Sequence, residues 1–208
     1  YMLKVYNWMA LGLALTGAVA FAVISVPGLK EIFFTEIRTA RGLYTALTIP
    51  GWIALFAPLA LVFFFSFRIH AMKAATAQTV FWFYAGLMGL SLAPAVYVYT
   101  ASSVAMVFFI SAATFGAMSL WGYTTKRDLT GMGHFLIMGV IGLLIAMVVN
   151  IFLKSSGLQF AISILGVLIF VGLTAYDTQK IKEMYDANDD GEVMTKKGIM
   201  GALTLYLD

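Results

Sequence analysis

Val167-Leu168-Ile169-Phe170-Val171-Gly172-Leu173-Thr174-Ala175-Tyr176-Asp177 runs ten residues without a charge and then ends on a carboxylate. Upstream, the same apolar run reaches back to Leu158, close to the length of about 20 residues that carries a helix across a hydrocarbon core about 30 Å thick. Five comparable stretches precede it, at about 5–26, 49–67, 79–99, 104–123 and 135–153, and a seventh opens near Gly198 and runs to Asp208. Hydrocarbon offers backbone N–H and C=O groups no partner but each other, so these stretches are read as helices. The expected fold is all-α, a polytopic membrane domain over 1–208 with seven transmembrane helices, the last continuing beyond Asp208.

Composition supports that class. Hydrophobic residues make up 62% of the 208 and charged residues 11%, with a mean hydropathy of +0.92, unlike a soluble domain. The first apolar span is too long for the core of a signal peptide and lacks a small-residue cleavage site behind it. The chain has no cysteine, which excludes disulfides, thiolate metal sites and cysteine nucleophiles. A net charge of +3 and a pI near 9.1 would suit nucleic acid in a soluble protein. In a membrane protein the placement of the basic residues is the better guide, and no nucleic acid is expected. Lys4, Arg68, Lys73, Lys126, Arg127, Lys180, Lys182, Lys196 and Lys197 fall on the side of the N-terminus, and Lys30, Arg38, Arg41 and Lys154 on the other. Nine against four places the N-terminus in the cytoplasm.

Two carboxylates break the apolar pattern. Asp177 closes the sixth stretch, and Asp208 lies eleven residues past Lys197, about 16 Å along a helix and so near mid-bilayer. An Asp at that depth costs roughly 2.5–3.5 kcal/mol, which makes it a candidate functional residue. Arg68 ends the second stretch, and all three side chains can converge in the inner half of the bundle. Two carboxylates in a low-dielectric site do not both ionise cheaply, so the pair is expected to share a proton. Its oxygens are hard ligands suited to a transient Ca²⁺. The competing readings are a solvated helix end for Asp177 and a membrane-surface anchor for Arg68.

Other features carry less chemistry. Asp186-Ala187-Asn188-Asp189-Asp190-Gly191 matches the first half of an EF-hand loop, but Lys197 stands where the twelfth-position Glu belongs. His70 and His134 lack the spacing of a metal pair, and no Gly-x-Ser-x-Gly elbow appears, so neither a zinc hydrolase nor a serine enzyme is expected. Small residues at helical spacing (Ala10, Ala14, Ala18 and Ala22; Gly139 and Gly142; Gly166 and Gly172) mark expected packing faces. Pro58 and Pro94 sit inside spans, Asn150 is placed to bond between helices, and 100–103 reads as a tight hairpin. The segment 27–48 is expected to lie on the outer surface as a short amphipathic helix.

Four motifs, in order along the chain, carry a resemblance. They are Ser66-Phe67-Arg68-Ile69 with Ala74-Ala75-Thr76-Ala77-Gln78, Thr125-Lys126-Arg127-Asp128-Leu129-Thr130-Gly131-Met132-Gly133, Leu173-Thr174-Ala175-Tyr176-Asp177-Thr178-Gln179-Lys180-Ile181, and Ala202-Leu203-Thr204-Leu205-Tyr206-Leu207-Asp208. The chain resembles the Bax inhibitor-1 (transmembrane Bax inhibitor motif) family over essentially its whole length, and its lack of cysteine is similar to the bacterial branch. The resemblance implies two three-helix layers around a central seventh helix. It also implies a pH-sensitive calcium leak gated by an aspartate pair, falling on Asp177 and Asp208, with an arginine partner on Arg68. Calcium ions and protons would be the species handled, with no cofactor and no enzyme activity, in a monomer of the cell's inner (plasma) membrane, or of an organelle membrane in a eukaryote. A proton-coupled cation antiporter and a non-transporting regulator of a protease or cell-death partner are the alternatives.

Overall fold

The computed structural model describes residues 1–26, 28–39, 42–68 and 71–208, with backbone alone at 38, 39, 42–45 and 66. His70 and Arg41 lie outside the described residues. In chain order the elements are α1 (Met2–Ser25), α2 (Leu29–Phe33), β1 (Phe34–Thr39), β2 (Gly42–Leu47), α3 (Ile49–Arg68), α4 (Ala74–Val98), α5 (Ala101–Thr124), α6 (Thr130–Leu153), α7 (Ser156–Glu183) and α8 (Gly191–Leu207). Among the described residues, α1, α4, α5, α6 and α7 are long and apolar enough to cross a membrane, and α3 carries a shorter apolar run, Ile49–Phe65. Bulky apolar side chains cover their outsides: Phe108, Phe109 and Ile110 on α5, and Ile141, Leu144, Ile145 and Val148 on α6, are all more than half exposed. That surface fits hydrocarbon rather than water. The protein is an all-α, multi-pass membrane protein.

The chain divides into two compact units, Tyr1–Phe108 with Asp186–Tyr206, and Phe109–Tyr185 with Leu207–Asp208. In the first unit α1 packs along α4. The buried face of α1 is Val5, Met9, Gly12, Thr16, Ala20 and Val23, against Ala77, Phe81, Tyr84, Ala85, Gly89 and Ala93 of α4. This corrects the expected alanine face: Ala10, Ala14, Ala18 and Ala22 are exposed. They lie about 200° around the helix from Gly12, Thr16 and Ala20, the side on which Phe81 of α4 packs against Gly12. A Cβ on Gly12 would stand 2.8 Å from the Phe81 ring.

At the end of this unit where α1 finishes, Val23, Phe34 and Ala93 form a small core with Leu29, Phe33, Leu47 and Leu90 around it. The expected amphipathic helix over 27–48 is not what forms. Among the described residues of this segment Leu29–Phe33 is helical, and Phe34–Thr39 pairs antiparallel with Gly42–Leu47. The β-branched Thr35, Ile37, Thr39 and Thr45 favour extended backbone, and Phe34 is the side chain the core takes in. Glu36 holds the hairpin down. Its carboxylate accepts hydrogen bonds from Lys30, at 2.9 Å, and from the Tyr97 hydroxyl of α4. Those two donors keep the Glu36 carboxyl below its ordinary range, and the same network holds the Lys30 ammonium above its own.

The acidic loop before α8 is a turn and a helix cap. Asp186 accepts from the Asn188 backbone at 2.9 Å, Asp190 caps α8 through Val193 N–H at 2.7 Å, and Asp189 pairs with Lys197 at 2.6 Å. With Asp190 as the capping residue, α8 starts at Gly191, seven residues before the start predicted from hydropathy.

In the second unit α6 and α7 form an antiparallel hairpin. Lys154, in left-handed backbone (φ 49°), ends α6, and Ser155 caps α7 by accepting from Leu158 N–H at 3.2 Å. Asn150 bonds across the turn to Gln159 at 3.1 Å and accepts from Ser155 N–H at 3.0 Å, the interhelical role its position suggested. Of the expected glycine contacts, Gly139 faces Ile169 and Gly172 faces Leu136, while nothing stands within 4 Å of a Cβ at Gly142.

Candidate functional site

Upstream, α7 is mostly lipid-facing, with Phe160, Val167 and Leu168 at least 60% exposed. Then seven consecutive residues, 173–179, are buried. Successive helical residues turn by 100°, so such a run is enclosed on every side. Two glycines let the neighbouring helices close in. A Cβ on Gly122 of α5 would stand 2.2 Å from the Ala175 carbonyl oxygen, and one on Gly133 of α6 would stand 2.5 Å from the Tyr176 ring. Leu129, Leu173, Ala175 and Tyr176 form the apolar core there, with Met118, Met132 and Leu136 packed on it.

Buried polar groups need partners, and this band supplies them. Thr174 donates to the Phe170 carbonyl at 2.9 Å. Thr178, fully buried, shares a hydrogen bond of 2.9 Å with Ser119 of α5. Gln179 fastens the α5–α6 loop with both ends of its amide: it donates to the Arg127 carbonyl at 2.8 Å and accepts from Leu129 N–H at 2.9 Å. Asp177, 9% exposed, sits among them.

Its partner is Asp208. Its carboxyl lies within hydrogen-bonding reach of the Asp177 carboxyl, and a bond between two carboxyl groups needs one proton. Lys180, one turn along α7, acts on Asp177 by charge. The Oδ2 of Asp208 is buried and has no hydrogen-bond partner among the described residues. Without a shared proton, two like charges would face each other among buried residues, which is costly.

The sequence-predicted residues thus divide. Asp177 and Asp208 are brought together within one unit, whereas Arg68 ends α3 in the other, is exposed, and has no ion pair among the described residues. His134 is exposed on α6, and no group of three or more His, Asp or Glu is assembled for a metal among the described residues. Sequence reasoning passed over Gln179, the Ser119–Thr178 pair and a second buried hydroxyl node, Thr16 with Tyr206. For α7 a signal existed: Thr174, Asp177 and Thr178 stand at i, i+3 and i+4, a polar face on an otherwise apolar helix.

A helical membrane protein with two carboxyl groups set close together among buried residues is the class that fold and site define. The family described as "Inhibitor of apoptosis-promoting Bax1" matches residues 1–208, and the chain belongs to it. An uncharacterized protein of Rickettsia prowazekii is 50% identical over 208 residues, covering all of this chain and 83% of the relative. The inner membrane protein YbhL of Escherichia coli K12 is 45% identical over 210 residues, covering all of this chain and 85% of YbhL. An uncharacterized membrane protein of Streptococcus pyogenes is 32% identical over 208 residues, 86% of its length.

Proposed function

We propose that this protein is a pH-sensitive calcium leak channel of the bacterial inner membrane, with its N-terminus in the cytoplasm. Asp177 and Asp208 form the gate, and Arg68 serves as their charge partner when the pair ionises. The observation that carries this reading is the closeness of the two carboxyl groups at the enclosed end of α7. With the proton in place the pair has one net negative charge and its side chains are drawn together. Loss of the proton doubles the charge, breaks the bond and leaves carboxylate oxygens for a passing Ca²⁺. Two carboxylates are too few for a tight calcium cage, and a weak site that releases its ion is what conduction needs. The sign follows from linkage: the arrangement that binds the shared proton gains population over the fully ionised one as pH falls.

The test is calcium flux into proteoliposomes across a pH series. Asp177→Asn and Asp208→Asn should each flatten the pH dependence, because an amide cannot exchange the proton. Wild-type pH profiles in both variants would refute the reading. Proton counter-flow in fixed ratio to calcium would convert the channel into an antiporter working through the same carboxyls.

A further inference from the structure

The first unit holds a hydroxyl node that the carboxyl pair does not use. Thr16 of α1 is 5% exposed, and its Oγ1 lies 2.8 Å from the Ala85 carbonyl of α4, 3.0 Å from the Gly12 carbonyl and 2.6 Å from the Tyr206 hydroxyl of α8. A threonine has a single hydroxyl hydrogen, and carbonyls only accept. Thr16 and Tyr206 share one hydrogen bond, and the Thr16 oxygen also lies within bonding distance of both carbonyls. All three helices are thus tied at one height. The Tyr206 ring is fixed as well, packing edge-on to Tyr84 at 5.6 Å and to Phe81 at 6.4 Å. Tyr84 is the titratable side chain set against it.

Two residues further on stands Asp208. The helix ends at Leu207, and Asp208 follows it directly. Tyr206 belongs to the first unit, and Leu207 and Asp208 to the second. Leu207 alone separates the hydroxyl-bonded Tyr206 from Asp208 along the chain.

We propose that Tyr206 and Thr16 are positioning residues for the carboxyl pair: their hydrogen bond sets the height and rotation of α8, and through Leu207 it sets where Asp208 stands. This rests on the reading of Asp177 and Asp208 as the gate. Without the bond, α8 keeps its ring packing but loses the one directional contact that this node gives it. An interhelical hydrogen bond of this kind shifts a two-state equilibrium by about threefold to tenfold. For a one-proton gate that is a midpoint shift of about 0.5–1 pH unit.

The test uses Tyr206→Phe and Thr16→Val, which keep shape and remove one hydroxyl each, and the double variant. The chain has no cysteine, so Lys4→Cys with Glu192→Cys, both at exposed positions of the first unit, admits a single spin-label pair on α1 and α8. In lipid discs the background should give one narrow distance, and each hydroxyl variant a broadened or displaced distribution. In proteoliposomes each single variant should move the midpoint of the flux–pH curve by the same amount and in the same direction, and the double variant no further. Unchanged distances, or two shifts that simply add, would overturn the proposal. If Asp177→Asn keeps the wild-type pH profile, the gate reading fails by itself, and the spin-label distances still decide whether Tyr206 and Thr16 hold α8.

Discussion

Gly122→Ala puts the enclosure of α7 to a direct test. The added methyl would lie 2.2 Å from the Ala175 carbonyl oxygen and 2.8 Å from the Ala175 Cα and carbonyl carbon, all of them backbone atoms of a packed helix. Ordinary contact begins near 3.4 Å. No rotamer can relieve this, so α5 must withdraw from α7 by roughly 1 Å. Ser119 lies three residues earlier on the same face, and that movement takes its hydroxyl out of range of Thr178, now 2.9 Å away. Overpacking costs about 1–3 kcal/mol, and losing the Ser119–Thr178 bond costs about 0.5–1.5 kcal/mol more, so the sum is about 1.5–4.5 kcal/mol. In detergent this should appear as a fall in Tm of roughly 5–15 °C. Gly116→Ala is the control on the same helix, since nothing stands within 4 Å of its Cβ, and its Tm should hold or rise slightly. Equal Tm values for the two variants would mean that α5 does not press on α7 as described.

Gln179→Leu removes both bonds to the α5–α6 loop and leaves the N–H of the buried Leu129 without its acceptor. Unfolding stability should drop by about 2–4 kcal/mol, and amide exchange should quicken over 127–130, while unchanged exchange there would show that the loop is held by other means. At the β1–β2 hairpin, Glu36 is an acid whose folded range is lowered, so its tie is fully made above the ordinary Glu range and is lost as pH falls through the lowered one. Amide protection over 34–39 should therefore decline in acid, and Tyr97→Phe, which removes a donor, should move that decline to higher pH. Identical profiles with and without the Tyr97 hydroxyl would count against this.

Hydropathy located the apolar helices but not their ends, for a physical reason. It reports which residues prefer hydrocarbon, whereas helices end where caps and turns in water end them. α7 runs on to Glu183 through Asp177, Thr178 and Gln179, and α4 begins at Ala74 rather than Thr79, because those residues are helical without being apolar. α8 begins where Asp190 caps it. The alanine stripe of α1 misled because small size says that a helix can approach another, not from which side. The hairpin at 34–47 was missed because a short segment with mixed polarity carries neither period clearly. At the site, the aspartates were legible since a charge in an apolar run demands an explanation. Thr16, Tyr206, Ser119 and Gln179 were not, because a neutral polar group that finds a partner leaves no anomaly in the sequence.

The outer faces of α5 and α6 meet a liquid that has no contour of its own. At Ile141, Leu144, Ile145 and Val148 one bulky aliphatic or aromatic side chain serves as well as another, since acyl chains rearrange around whichever is present. Gly122 and Gly133 meet solid neighbours and have no such latitude. Evolutionary drift can thus run freely over the rind of this protein while its interior spelling stays fixed, and a comparison weighted toward the inner positions will recognise distant kin that overall identity hides.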